Sequence, residues 1–219
     1  MKIQMYLFLF LILGTILLSG CTDTKRYYSN CASCRDSWQQ DINRSILNYN
    51  SSEHQIDYED LRFDSSTVKR GSATAEPQFA TFLNNTIILK FSSTVNQEAF
   101  LNVQLPHNRI YNTMIYPHFH WTPTNINMGY VQWCIEYTCA NINDVFPSTI
   151  IKCELDQADG IINKHQMTTY LNGNLTIINN LTKSAMCLMR IFRNATSTKD
   201  SYNSLANLLE FDIHYEYLS

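Results

Sequence analysis

His118 and His120 stand two residues apart in the stretch Tyr116-Pro117-His118-Phe119-His120-Trp121, the part of this sequence best equipped for chemistry. Side chains of an extended chain alternate between faces, so both imidazoles project to one side, about 7 Å apart along the strand. Such a pair can give two nitrogen ligands to a transition metal. These ions take about four to six donors, so the rest must come from another strand or another chain. His214 with Glu210 or Asp212 is one source; three copies on a threefold axis, each contributing its His-x-His pair, is another. The stronger expectation needs no cofactor: His118 and His120 form hydrogen bonds in a polar cleft or interface. Trp121 and His214 are expected at the same ligand or interface surface. Trp121, Trp133 and the tyrosines could stack against a sugar, although aromatic residues at period two more often fill a core.

Other catalytic constellations are missing. The sequence has no Gly-x-Ser-x-Gly turn, Walker loop, HExxH or paired-glycine phosphate cradle, so no catalytic residues are assigned and no enzyme is expected. Asp156-Gln157-Ala158-Asp159-Gly160 offers oxygens that suit Ca²⁺ but lacks the rest of a calcium loop, and it reads as a turn.

Lys2 precedes an apolar run from Met5 to Leu18 that ends in Ser19-Gly20-Cys21 and the polar Thr22-Asp23-Thr24-Lys25. The run is shorter than the ~20 residues of a membrane-spanning helix and reads as an export signal or anchor. Leu18-Ser19-Gly20-Cys21 also has the pattern of a bacterial lipobox, which makes Cys21 the candidate lipidation site. Export would carry Cys31, Cys34, Cys134, Cys139, Cys153 and Cys187 into an oxidising compartment, where an even set can pair in several connectivities. Cys31-Ala-Ser-Cys34 has redox or half-zinc spacing, yet no second CxxC completes four ligands, and a local disulfide is the simpler expectation.

The elements that must position these groups follow from pattern. The chain has 219 residues, 45% hydrophobic and only 16% charged, enough apolar matter for one core and too little charge for a coiled coil. Net charge of -3 provides no field for phosphates, and nucleic acid is excluded as a partner. Residues 1–21 form the signal or anchor, and 22–76 read as a mostly irregular leader with one short helix near Trp38 to Leu47. From Pro77 the pattern alternates. Strands are expected near Thr86 to Phe91, Ala99 to Leu105, Thr113 to Trp121, Tyr130 to Thr138, Thr149 to Leu155, His165 to Leu171, Leu175 to Ile178, Ala185 to Phe192 and Leu208 to Tyr217. In the last, Leu209, Phe211, Ile213, Tyr215 and Tyr217 share one face while Glu210, Asp212, His214 and Glu216 share the other. The expected fold over 77–219 is all-β, a jelly-roll-like antiparallel β-sandwich.

Several segments together resemble a group of structural proteins from tailed phages and related viral genomes. They are Tyr58-Glu59-Asp60-Leu61-Arg62-Phe63, Val103-Gln104-Leu105-Pro106-His107, the Tyr116 to Trp121 stretch, Trp133-Cys134-Ile135-Glu136-Tyr137, Asp159-Gly160 with Lys164-His165-Gln166, Met189-Arg190-Ile191-Phe192-Arg193 and Leu208 to Tyr215. The resemblance implies a non-enzymatic fibre, tail or minor capsid component that associates with copies of itself, as a homotrimer or another symmetric oligomer, and with other virion proteins or a cell-surface ligand. The export-type N-terminus departs from that pattern and splits the expected location between a virion and a membrane-anchored, extracytoplasmic site. A lipid-anchored lipoprotein that binds carbohydrate is the second expectation. The third is a cupin-like metal enzyme, because an HxH strand in a jelly roll resembles that family too. That resemblance implies a Glu a few residues downstream, where this chain has Thr122-Pro123-Thr124-Asn125.

Overall fold

Alternation of apolar and polar residues at period two puts one face of each strand in a core and leaves the other in water, and two sheets stacked face to face satisfy all of the strands at once. A computed structural model of the chain, which describes residues 56–71, 76–169, 173–177 and 180–218, has this arrangement. The described residues contain no helix and belong to the unit His54–Ser219. The strands are β1 (Ile56–Asp64), β2 (Lys69–Arg70), β3 (Gln78–Phe82), β4 (Thr86–Phe91), β5 (Gln97–Gln104), β6 (Ile115–Pro123), β7 (Met128–Ala140), β8 (Ile150–Asp159), β9 (Gln166–Met167), β10 (Met186–Arg193) and β11 (Ala206–Leu218). One sheet has the order β3-β4-β11-β6-β9, with β1 also paired to β11; the other runs β2-β5-β10-β7-β8. All pairings are antiparallel, and the fold is a jelly-roll-like β-sandwich.

Aromatic side chains from both sheets close the core. Phe119 of β6 stacks on Trp133 of β7 with centroids 4.8 Å apart, Phe91 meets Trp133 edge-on at 5.2 Å, and Phe119 meets Phe211 at 5.0 Å. Offset and edge-on contacts of this kind add to the area that large rings remove from water. Trp121, expected at a ligand or interface surface, is fully buried among these rings. The reason is parity: residues 119 and 121 point inward because 118 and 120 point outward. The Trp121 indole N–H crosses the sandwich edge to donate to Asp156 at 2.6 Å. Burial pushes the Asp156 carboxyl up from its ordinary range.

Other expectations shift. The stretch 56–70, expected within the leader, supplies β1 and β2, and β1 covers β11 residue by residue from Ile56 opposite Leu218 to Asp64 opposite Glu210. Its charged outer face disguised it, since only Leu61 and Phe63 pack against the core. The short strand β3 was also unforeseen. Asp156 to Asp159, expected as a turn, complete β8, and the chain turns after them at Gly160, whose φ is +82°. Where a strand is expected at Leu175 to Ile178, the described residues 175–177 form a single bridge, between Ile115 and Ile177, and no strand. A register shift between Leu208 and Glu210 makes Leu208, not Leu209, the fully buried residue, and the expected alternation holds from Glu210 onward. The segments that carry Cys21, Cys31, Cys34 and the proposed helix near 38–47 lie outside the described residues.

Cysteines at directly opposed positions form two disulfides. Cys134–Cys153 joins β7 to β8, and Cys139–Cys187 joins β7 to β10. Cys139 and Cys187 belong to the core, whereas Cys134 lies on the other face of β7. The sheet is therefore stapled once on each face.

Candidate functional site

On the outer face of the first sheet, β6, β11 and β1 run side by side, and their register sets polar side chains in cross-strand rows. Tyr116, His214 and Asp60 form one row; His118, Asp212 and Arg62 the next; His120, Glu210 and Asp64 the third. Residues opposite one another in antiparallel strands point to the same face, so the rows follow directly from pairing. The two imidazoles of the His-x-His pair thus meet a carboxylate supplied by β11, as the sequence allowed for Asp212.

At the centre, Asp212 Oδ2 lies 3.4 Å from His120 Nε2 and 3.8 Å from His118 Nε2. One ligand-capable atom from each of the three residues falls within 4.8 Å of the others. Both imidazoles are gripped from behind through Nδ1. His118 Nδ1 donates to the Tyr116 carbonyl at 3.0 Å, and His120 Nδ1 is hydrogen-bonded to His165 Nε2 at 2.7 Å. A carbonyl oxygen accepts only, so Nδ1 of His118 carries the proton and Nε2 is the basic nitrogen. Burial holds the His118 imidazole below the ordinary histidine range, so it is neutral near pH 7.

Asp212 is 3% exposed, and its Oδ1 is buried with no hydrogen-bond partner among the described residues. Buried carboxylate oxygens are nearly always satisfied, because desolvation without a partner costs several kcal/mol on the order of a lost charged hydrogen bond. Beside it, burial first and then the Asp212 charge push the Glu210 carboxyl up. This outer face therefore sets a buried carboxylate and a neighbouring Glu210, with Arg62 in the same row, beside imidazole nitrogens, an arrangement suited to a proton or a cation.

His214, expected at this surface, stays outside the trio. Its Nδ1 is 2.6 Å from Asp60 Oδ1, its ring stacks on Tyr58 at 4.8 Å, and it meets the His118 ring edge-on at 6.2 Å. Tyr58, Asp60 and His165 appear in the sequence only within segments that carry the resemblance and not as expected site residues. Asp60 and Tyr58 lie on a strand hidden in the supposed leader, and His165 reaches His120 only because β9 pairs with the end of β6.

No family model matches this chain, and no curated protein matches it in sequence. Among solved structures it is similar to Arthrobacter globiformis T6 isomalto-dextranase complexed with panose, at 11% identity and TM-score 0.44 over 70% of this chain. The chain spans 23% of the length of that protein. It is also similar to a carbohydrate-binding module specific for non-crystalline cellulose, at 8% identity and TM-score 0.27 over 71% of this chain and 89% of the module. The similarity to Bacillus licheniformis beta-glucanase is 9% identity and TM-score 0.28 over 73% and 98%. Likenesses this distant carry no argument about function.

Proposed function

We propose that this protein is a non-enzymatic structural or surface component of a virion, acting in assembly or attachment through the faces of its sandwich. The observation that supports this best is the stapling of one sheet by Cys134–Cys153 and Cys139–Cys187. Such bonds persist in oxidising surroundings, which agrees with the export signal expected from the sequence, and they stiffen the surface that the sheet presents. That surface carries Phe100, Met186 and Leu188, each more than a third exposed, on neighbouring strands β5 and β10. Apolar side chains grouped on a rigid face favour burial against copies of the same chain. Light scattering of the purified full chain tests the reading. A discrete symmetric oligomer that Leu188→Lys dissociates is expected; a monodisperse monomer with no affinity for particles, cells or glycans would overturn it.

A second reading, a lipid-anchored extracytoplasmic protein that binds carbohydrate, draws on the outer face of the first sheet. There Tyr58 is 43% exposed and backed by His214, a ring platform beside polar groups that could hold sugar hydroxyls. Membrane fractionation of the chain with and without Cys21→Ser separates the readings: loss of membrane association together with retained glycan binding favours the second.

A further inference from the structure

We propose that His118, His120 and Asp212 form a binding site for one divalent transition-metal ion of the Zn²⁺ class, held by both Nε2 atoms and the Asp212 carboxylate. The inference is independent of whether the protein is displayed on a virion or a cell. Three observations carry it. The first is spacing. Tetrahedral ligands about 2.1 Å from a metal stand about 3.4 Å apart, and Asp212 Oδ2 is 3.4 Å and 3.8 Å from the two imidazole nitrogens. The second is orientation. Metal-bound imidazoles nearly always donate their other N–H to a fixed acceptor; here the Tyr116 carbonyl holds Nδ1 of His118 and His165 holds Nδ1 of His120. In the ligating tautomer His120 Nδ1–H donates to His165 Nε2, which makes His165 a positioning residue. The third is the unmet need of Asp212, whose buried Oδ1 has no partner among the described residues. A cation at the centre would add positive charge beside this buried carboxylate.

Two imidazoles and one carboxylate are borderline donors that suit Zn²⁺, Co²⁺ and their neighbours better than Ca²⁺ or Mg²⁺, which take oxygen. Three protein ligands on one face leave a coordination position for water or a partner's donor.

The test uses the full chain, stripped with a chelator and titrated with Zn²⁺ by calorimetry and with Co²⁺ by visible absorption. One ion per chain is expected, with a Co²⁺ spectrum of low coordination number. His120→Asn and Asp212→Asn should each weaken binding at least ~100-fold, and His165→Gln ~10–100-fold with a changed Co²⁺ spectrum. Because replacing the buried Asp212 can disturb the sheet, the more accessible His120 decides the case, with its melting profile recorded alongside. Absence of saturable binding by the wild-type chain overturns the proposal. So does binding that survives His120→Asn unchanged, or one ion per three chains with Asp212 dispensable.

Discussion

A β-carbon added to Gly129 would come within 2.7 Å of the Ser201 carbonyl oxygen and 2.8 Å of the Tyr202 backbone, at a φ of +154°. The amides of Ser201 and Tyr202 both donate to the Tyr130 carbonyl, so neither strand nor loop can retreat without breaking those bonds. Gly129→Ala should therefore destabilise the fold by about 1–3 kcal/mol, as overpacking does, measured by denaturant midpoint. Glu136 gives a second prediction. The hydrogen bond from Thr149 and the paired bonds from Arg190 hold its carboxyl below the usual range. A carboxyl lowered on folding adds stability above its unfolded value that disappears as pH falls through the folded one. Glu136→Gln should therefore be less stable than the wild type at pH 7, and the gap should narrow as pH falls through and below the ordinary carboxylate range. A constant gap across that range would contradict the assignment. At this scale the sequence was informative about parity: His118 and His120 were legible as one outward pair. It assigned no site role to Asp60 and His165, whose neighbours are set by pairing with distant strands.

Between elements, the loop from Asn194 to Leu205 depends on one buried cation. Arg193 is 0% exposed and donates from Nε and Nη2 to the two oxygens of Asp200 at 2.9 and 2.7 Å, and from Nη1 to the Ser204 carbonyl at 2.6 Å. Removing one partner of such a pair strands the other without solvent, at a cost of about 3–5 kcal/mol. Arg193→Met should approach that loss, whereas the exposed Lys199→Met should change little; equal effects would argue against the pairing. The edge of the sandwich is closed in a related way. Glu154 and Lys152 of β8 reach the backbone of residues 174 and 176, whose neighbour Ile177 bridges to Ile115 of β6. Strand β1 is the element most easily misread, because a charged edge strand lacks a strong apolar signal. A chain that starts at Pro77 would uncover β11 from Glu210 to Leu218, and it should aggregate or melt well below one that starts at His54 when the two are compared by thermal scanning.

Over the whole molecule, the disulfides set how much of the stability is covalent. Cross-links that close loops of 19 and 48 residues restrict the unfolded chain by about 3 and about 4 kcal/mol in the chain-entropy treatment. Replacing Cys139 and Cys187 together by Ala should therefore cost more than replacing Cys134 and Cys153, and a non-reducing digest should recover those two pairs. The reverse ranking would show that local packing outweighs loop closure. Self-association belongs to this scale too, since Phe100, Met186 and Leu188 act as a patch only because β5 and β10 lie side by side.

By itself the sequence determined the class of fold and the two-faced character of its strands, because period-two alternation is a local property that any extended segment expresses before it finds a partner. It also placed the His-x-His pair on a single face. Tertiary structure alone decided which carboxylate stands opposite that pair, which cysteines bond, where β11 shifts register and that Trp121 is enclosed. Each of these depends on register between strands far apart in the chain, and register is set by the joint packing of two sheets rather than by any one segment's composition.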